Sequence, residues 1–271
     1  GVQLPVFNDC HGGTVYCLAS YDAGSKKLVT LSHPFSVDVD SAKMEFYEPE
    51  KETEDVVLFS KFGMIGEFFL GRMVGGVFEG SRSPGFEHPD TLFRIKDMPL
   101  RLCTAVRVDS TKTYRYVRYF GPRGGFGNVS EVGFYSSWAD TEPLKGDILG
   151  PQEGAHGSHS YFNVFDGHTD TSYDHPFDYG GWAGLDLGEK KAIGKIVYTP
   201  RNRDNFVRKD DLYELLVCHG GEWKSAGTQV AQSDSLLFRN IPKHALLLLR
   251  DLSRGEAERL FEYKDGVQKY W

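Results

Sequence analysis

Cysteine is scarce, with four in 271 residues, and Cys10, Cys17, Cys103 and Cys218 fall into no metal-ligand spacing. Cys10 and Cys17 are near enough in sequence to bridge or to stay as two buried thiols, and Cys218 sits inside an expected strand, where a thiol is inert. Long apolar runs are missing as well. None approaches the ~20 residues of a membrane span, and Leu246 to Leu249 reads as a buried strand, so no membrane insertion is expected. Basic charge is not in excess: a net charge of −7 argues against nucleic acid, which needs a basic face, and against an anionic membrane surface. No G-x-S-x-G nucleophile turn occurs, and the expectation is that the chain is not an enzyme. The chain begins at Gly1 without Met or a signal segment, which reads as an excised fragment or a mature form.

Aromatic residues and glycine are plentiful. Aromatics make up 14% of the chain and there are 31 glycines, a balance that suits an all-β protein with many turns. Residues 1–66 read as a β-rich N-terminal segment, either a small sandwich of its own or part of the next domain. In it TVYCLASY alternates, KKLVTL follows an Ala-Gly-Ser turn, and Phe35, Val37 and Val39 share one face. His11 and His33 have no Cys or carboxylate at ligand spacing and read as surface polar residues. Residues 140–158 carry the Pro, Gly and Asp of a linker. Beyond it, IGKIVY and YELLVC read as strands, PRNRDNFVRKDD as a polar loop, and the turn before WKSAG as a hairpin.

The most informative stretch runs from Ser160 to Gly188. An Asp166-Gly167 turn, where Gly tolerates positive φ and Asp bonds its own backbone, leads into a loop holding Tyr173, His175, Phe177, Tyr179 and Trp182. So many rings in so few residues either seal the end of a sandwich or form a binding surface. FDGHTDT followed by WAGLDLG, then IGKIVYTPRNRDNF, resembles the galactose-binding-like, discoidin-type (coagulation factor V/VIII type C) β-sandwich family. The resemblance implies tandem galactose-binding-like jelly-roll sandwiches: a shortened, divergent copy over 67–146 and a fuller one over 147–271. VFEG (77–80) would stand where FDG (165–167) stands, and 116–135 would repeat as 248–263, aligning Glu131 with Glu258.

The same resemblance implies a structural Ca²⁺ at Asp166, His168, Thr171 and Glu258, with His168 giving its carbonyl; the bland counterpart is a metal-free turn in which Asp166 caps backbone amides. In the first copy Glu79, Ser81 and Glu131 occupy the corresponding places, and no metal is expected there. It further implies a sugar site at Tyr173, His175, Phe177, Tyr179, Arg201, Asn202, Arg203 and Asn205, with rings against C–H faces and polar groups on hydroxyls. The expected function is non-catalytic binding of terminal, galactose-like sugars of glycans. The arrangement is similar to the C-terminal accessory region of Bacteroides-type glycan-utilisation proteins. That would place it outside the cytoplasm, in the periplasm, secreted or at the cell surface, with a catalytic domain in the same full-length chain as a partner. The alternative is a structural or protein-interaction role, in which the sandwiches pack against that domain and bind no sugar.

Overall fold

The computed structural model describes residues 15–16, 18–25, 28–32, 35–38, 40–41, 43–46, 51–61, 68–154, 156–219, 222–255 and 258–270. Cys10, Cys17, His11, His33 and Val39 lie outside them. The chain is all-β, its strands paired antiparallel in several sheets. It divides into two compact units, residues 64–206 and residues 1–63 with 207–271.

The 64–206 unit is a sandwich. Its five-stranded sheet runs Asp147–Leu149, Trp182–Ala192, Thr113–Phe120, Val77–Ser81, Asp90–Arg94; its three-stranded sheet runs Glu131–Tyr135, Lys195–Thr199, Thr104–Arg107. Period-two alternation turns one row of each strand inward. Phe78, Val117, Tyr119, Ala183 and Leu185 from the larger sheet meet Val132, Phe134, Ile196 and Tyr198 from the smaller in one core. The rings interlock: Phe78 lies 5.3 Å from both Tyr119 and Tyr198 and meets Phe134 edge-on at 6.3 Å.

This pairing corrects the expected boundary at 146/147. Trp182–Ala192 bonds along Thr113–Phe120, with Leu185 opposite Val117, and Lys195–Thr199 bonds along Glu131–Tyr135. Residues on both sides of that boundary therefore share the same two sheets, and neither set could bury its apolar rows alone. The expected repeat is corrected as well. Val77–Ser81 is an interior strand, whereas Asp166-Gly167 is a turn after a short 3₁₀ segment, Tyr161–Phe165. Thr113–Phe120 and Glu131–Tyr135 belong to opposite sheets, but Leu246–Asp251 and Leu260–Lys264 are hydrogen-bonded neighbours in one.

In the other unit, Glu222–Val230, Leu212–His219, Leu246–Asp251, Leu260–Lys264 and Val267–Tyr270 form a five-stranded sheet. The hairpin expected before WKSAG pairs His219 with Glu222, and Cys218 is buried in its strand. Thr53–Leu58 from the N-terminal segment pairs with Leu236–Pro242, and Val56 and Leu58 enter the core with Leu215, Leu247 and Phe261. The boundary at 66/67 thus moves to 63/64, and the N-terminal segment completes the C-terminal unit rather than the sandwich beside it in sequence. Among the described residues of this segment there are also short antiparallel pieces: Val15–Tyr16, Phe35–Asp38 and Lys43–Phe46 in one sheet, Ala19–Tyr21 with Leu28–Leu31 in another.

An ion pair joins the two sequence ends of this unit. Lys61 Nζ lies 3.0 Å from Asp251 Oδ2, and their side chains are 1% and 2% exposed. The other oxygen of Asp251 accepts the amides of Ser253 and Arg254 at 3.0 and 2.9 Å. Removing one partner of such a pair strands a buried charge, so Lys61→Met is expected to cost about 3–5 kcal/mol. Denaturant unfolding of the wild type and the variant measures this.

Candidate functional site

At one end of the sandwich two loops meet backbone to backbone. Thr113–Phe120 leaves its sheet into 121–130, and the aromatic loop 172–181 enters Trp182–Ala192 beside it. Tyr173 N–H donates to the Val129 carbonyl at 2.8 Å, His175 N–H to Phe126 at 2.7 Å, and Gly124 N–H to Asp178 at 2.6 Å. Glycine makes the approach possible: a Cβ on Gly127 (φ 62°) would stand 2.7 Å from the Tyr173 ring and 3.0 Å from Gly181 Cα.

Beneath this contact lies a buried polar network. Asn128, fully buried, donates to the Tyr173 carbonyl at 3.2 Å and to Asp174 Oδ1 at 2.7 Å, and its own oxygen accepts from Arg72 Nη1 at 2.8 Å. Arg201 Nη1 reaches Asp174 Oδ2 at 2.6 Å. Burial pulls the Arg72 pKa down; Asp174 opposes this, while the Arg201 charge adds to it.

Several residues expected to face a ligand are part of this support instead. Tyr173, Asn202 and Asn205 are buried, as are His175 and all but the edge of Arg201. Tyr173 hydrogen-bonds His175 Nδ1 through its hydroxyl at 2.9 Å; burial raises the Tyr173 pKa and lowers that of His175, so both stay neutral near pH 7. Asn202 donates to the Thr169 and Pro200 carbonyls at 2.8 and 2.9 Å. Three expected residues do reach the surface. Phe177 is 50% and Tyr179 57% exposed, and Arg203 is exposed as well. The Phe177 and Tyr179 rings lie near-parallel, 23° apart with centroids at 6.1 Å, and the Arg123 guanidinium sits 5.6 Å over Tyr179. His175 meets Phe177 edge-on at 5.7 Å from within. Trp182, expected at the same rim, is half-buried and 5.8 Å from Phe86.

The Asp166 turn forms as the sequence suggests, with Gly167 at φ 82° and His168 N–H donating to Asp166 Oδ1 at 2.8 Å. Thr171 Oγ1 lies 2.9 Å from Asp166 Oδ2 and 2.8 Å from the His168 carbonyl oxygen. Glu258 is not part of this arrangement: it belongs to the other unit, where its carboxylate lies 3.5 Å from Arg250 Nε. The glutamate at the turn is Glu131, the position expected to serve a first copy. It accepts Gly167 N–H at 2.9 Å, with the Asp166 carboxyl as its acidic neighbour. Burial, and then the acidic neighbour, push Glu131 up to about 8. Beside it opens a cavity of about 460 Å³ lined by Glu131, Tyr135, Leu144, Phe165, Val197 and Thr199. Among the described residues no cluster of three or more His, Cys, Asp or Glu could hold a metal. The oxygens gathered here are two carboxyl groups, a hydroxyl and a carbonyl, hard donors already joined to one another and to backbone amides by hydrogen bonds.

Comparison with protein-family models, with curated proteins and with solved structures returns no match for this chain.

Nothing in the local sequence marks Arg72 or Asp174 for this site; GGFGN, whose glycines mark a close backbone contact, is the one signal beside Arg123 and Asn128. A pH dependence follows from Glu131. Its folded pKa lies above the unfolded 4.5, so the folded state binds the extra proton between about 4.5 and 8. Its contribution to stability is whole below the unfolded value and is lost as pH rises through that window. Melting curves in metal-free buffer should fall more steeply from pH 5 to pH 8 for the wild type than for Glu131→Gln, and parallel slopes would contradict the burial of this carboxyl.

Proposed function

We propose that this chain is a non-catalytic carbohydrate-binding protein, and that its 64–206 sandwich is a galactose-binding-like domain presenting Phe177 and Tyr179 to the C–H face of a terminal sugar. The reading rests on one observation: two near-parallel, half-exposed rings on a loop that a buried network holds still. Rings of this kind leave water gladly only for an apolar partner, and a fixed platform loses little entropy when it binds. A shallow site of this size corresponds to roughly 10⁻³ to 10⁻⁵ M, or about −4 to −7 kcal/mol. The residue types at the Asp166 turn support a structural Ca²⁺ held by Asp166, Thr171 and Glu131 with the His168 carbonyl. By this reading the chain serves as an accessory region of a larger secreted or surface protein.

Titration of the chain with galactose by calorimetry, or by its Trp fluorescence, tests the sugar site. Phe177→Ala and Tyr179→Ala are each expected to weaken binding at least about tenfold, or about 1.4 kcal/mol, with melting temperatures unchanged. Failure of galactose and of a wider glycan panel to bind at millimolar concentration would remove the sugar and favour docking of the ring pair on a protein neighbour. For the cation, chelator should lower the wild-type melting temperature and added Ca²⁺ restore it, whereas Glu131→Gln and Asp166→Ala should respond to neither. A wild-type melt indifferent to both reagents would remove the metal.

A further inference from the structure

The sugar platform stands among arginines. The guanidinium carbons of Arg201 and Arg203 each lie 4.6 Å from the centroid of Phe69, and that of Arg72 lies 5.4 Å away. Arg72 also covers Phe126 at 4.6 Å. Asp174 is the carboxylate placed among them, and three donors already engage it: Arg201 at 2.6 Å, Asn128 at 2.7 Å and, more distantly, Arg72 at 4.0 Å. The remaining two cations at this end, Arg203 and Arg123, are exposed and lie over rings, Phe69 and Tyr179. Among the described residues neither has an ion-pair partner. Two further acids lie on the same loops, Asp178 and Asp204, both half-buried. Three guanidiniums thus gather on Phe69 and a fourth lies over Tyr179, in a chain whose net charge is −7.

The backbone supports the same conclusion. Arg203 and Asp204 are consecutive non-glycine residues in the left-handed region, at φ 52° and 58°. Such residues are strained and persist only where their surroundings over-determine them. Asn202 does so here, accepting the Asp204 amide at 2.9 Å while donating to Thr169 and Pro200. The strained turn holds Arg203 out into solvent beside the loop that carries the rings.

From this arrangement we infer that the platform prefers an acidic sugar, its anionic substituent, carboxylate or sulfate, being taken by Arg123 over Tyr179 while Phe177 and Tyr179 take the ring and Arg203, on the neighbouring turn, adds positive charge. The inference rests on the sugar-binding reading above and specifies its ligand. A planar guanidinium grips a carboxylate or sulfate through two N–H donors at once, a match that a neutral hydroxymethyl group does not offer.

The test compares galactose, galacturonate and galactose 6-sulfate on the full chain by calorimetry at 50 and 500 mM NaCl. Galacturonate or the sulfate should bind about tenfold tighter than galactose at low salt, and the advantage should shrink at high salt, where exposed charges are screened. The tighter of the two identifies the anion. Arg203→Gln and Arg123→Gln should each reduce the acidic-to-neutral ratio toward one while leaving galactose affinity and melting temperature in place. Equal affinities for all three sugars, each lost in Tyr179→Ala, would overturn the acid preference and leave the sugar reading standing. A preference that survives both arginine substitutions would overturn the assignment to these residues. Absence of binding by every sugar would overturn both readings.

Discussion

The buried amide of Asn128 is the contact on which this end of the sandwich depends. A side-chain amide in a dry interior must satisfy its donors and its acceptor together, and Asn128 does so through Tyr173, Asp174 and Arg72. In satisfying itself it fixes the aromatic loop to the loop leaving Thr113–Phe120, and through Asp174 it extends to Arg201. Gly127 and Gly181 let the two backbones approach closely enough for this to happen. Without that seam, residues 172–181 would be a long aromatic loop with no reason to hold one shape. With it, two rings are presented and the others are spent on holding them.

The division of labour among the expected site residues follows from burial. Tyr173, His175, Asn202 and Asn205 carry the chemistry of sugar recognition, but an interior that encloses them must employ their polar atoms itself. Tyr173 and His175 satisfy each other; Asn202 pins the strained turn. The residues left to the outside, Phe177, Tyr179, Arg123 and Arg203, have no side-chain hydrogen bond among the described residues. A shell of satisfied side chains holding a few exposed ones is the economy expected of a preorganised surface.

Much of the architecture was legible from local pattern. The strands around Lys195–Thr199, Leu212–His219 and Leu246–Asp251, the hairpin before WKSAG and the Asp166-Gly167 turn all carry period-two or turn chemistry that acts within a few residues. The domain boundaries were not legible. Glu131 and Glu258 each stand at or before a strand in a similar local context, and only the pairing of Glu131–Tyr135 with Lys195–Thr199 sets Glu131 against the turn. Likewise Thr53–Leu58 alternates no differently from an edge strand of the nearer sandwich, yet it bonds to Leu236–Pro242, some 180 residues onward.

The sequence by itself determined the secondary structure, because strand alternation and positive-φ glycine turns are decided by neighbours along the chain. It determined, too, which residue types could face a ligand. Only the tertiary structure decided which of them do so, which glutamate closes the acidic turn, and that one sandwich draws its sheets from both sides of residue 146. Those outcomes depend on which strand edges hydrogen-bond and which side chains lose water, quantities that arise only when distant segments meet.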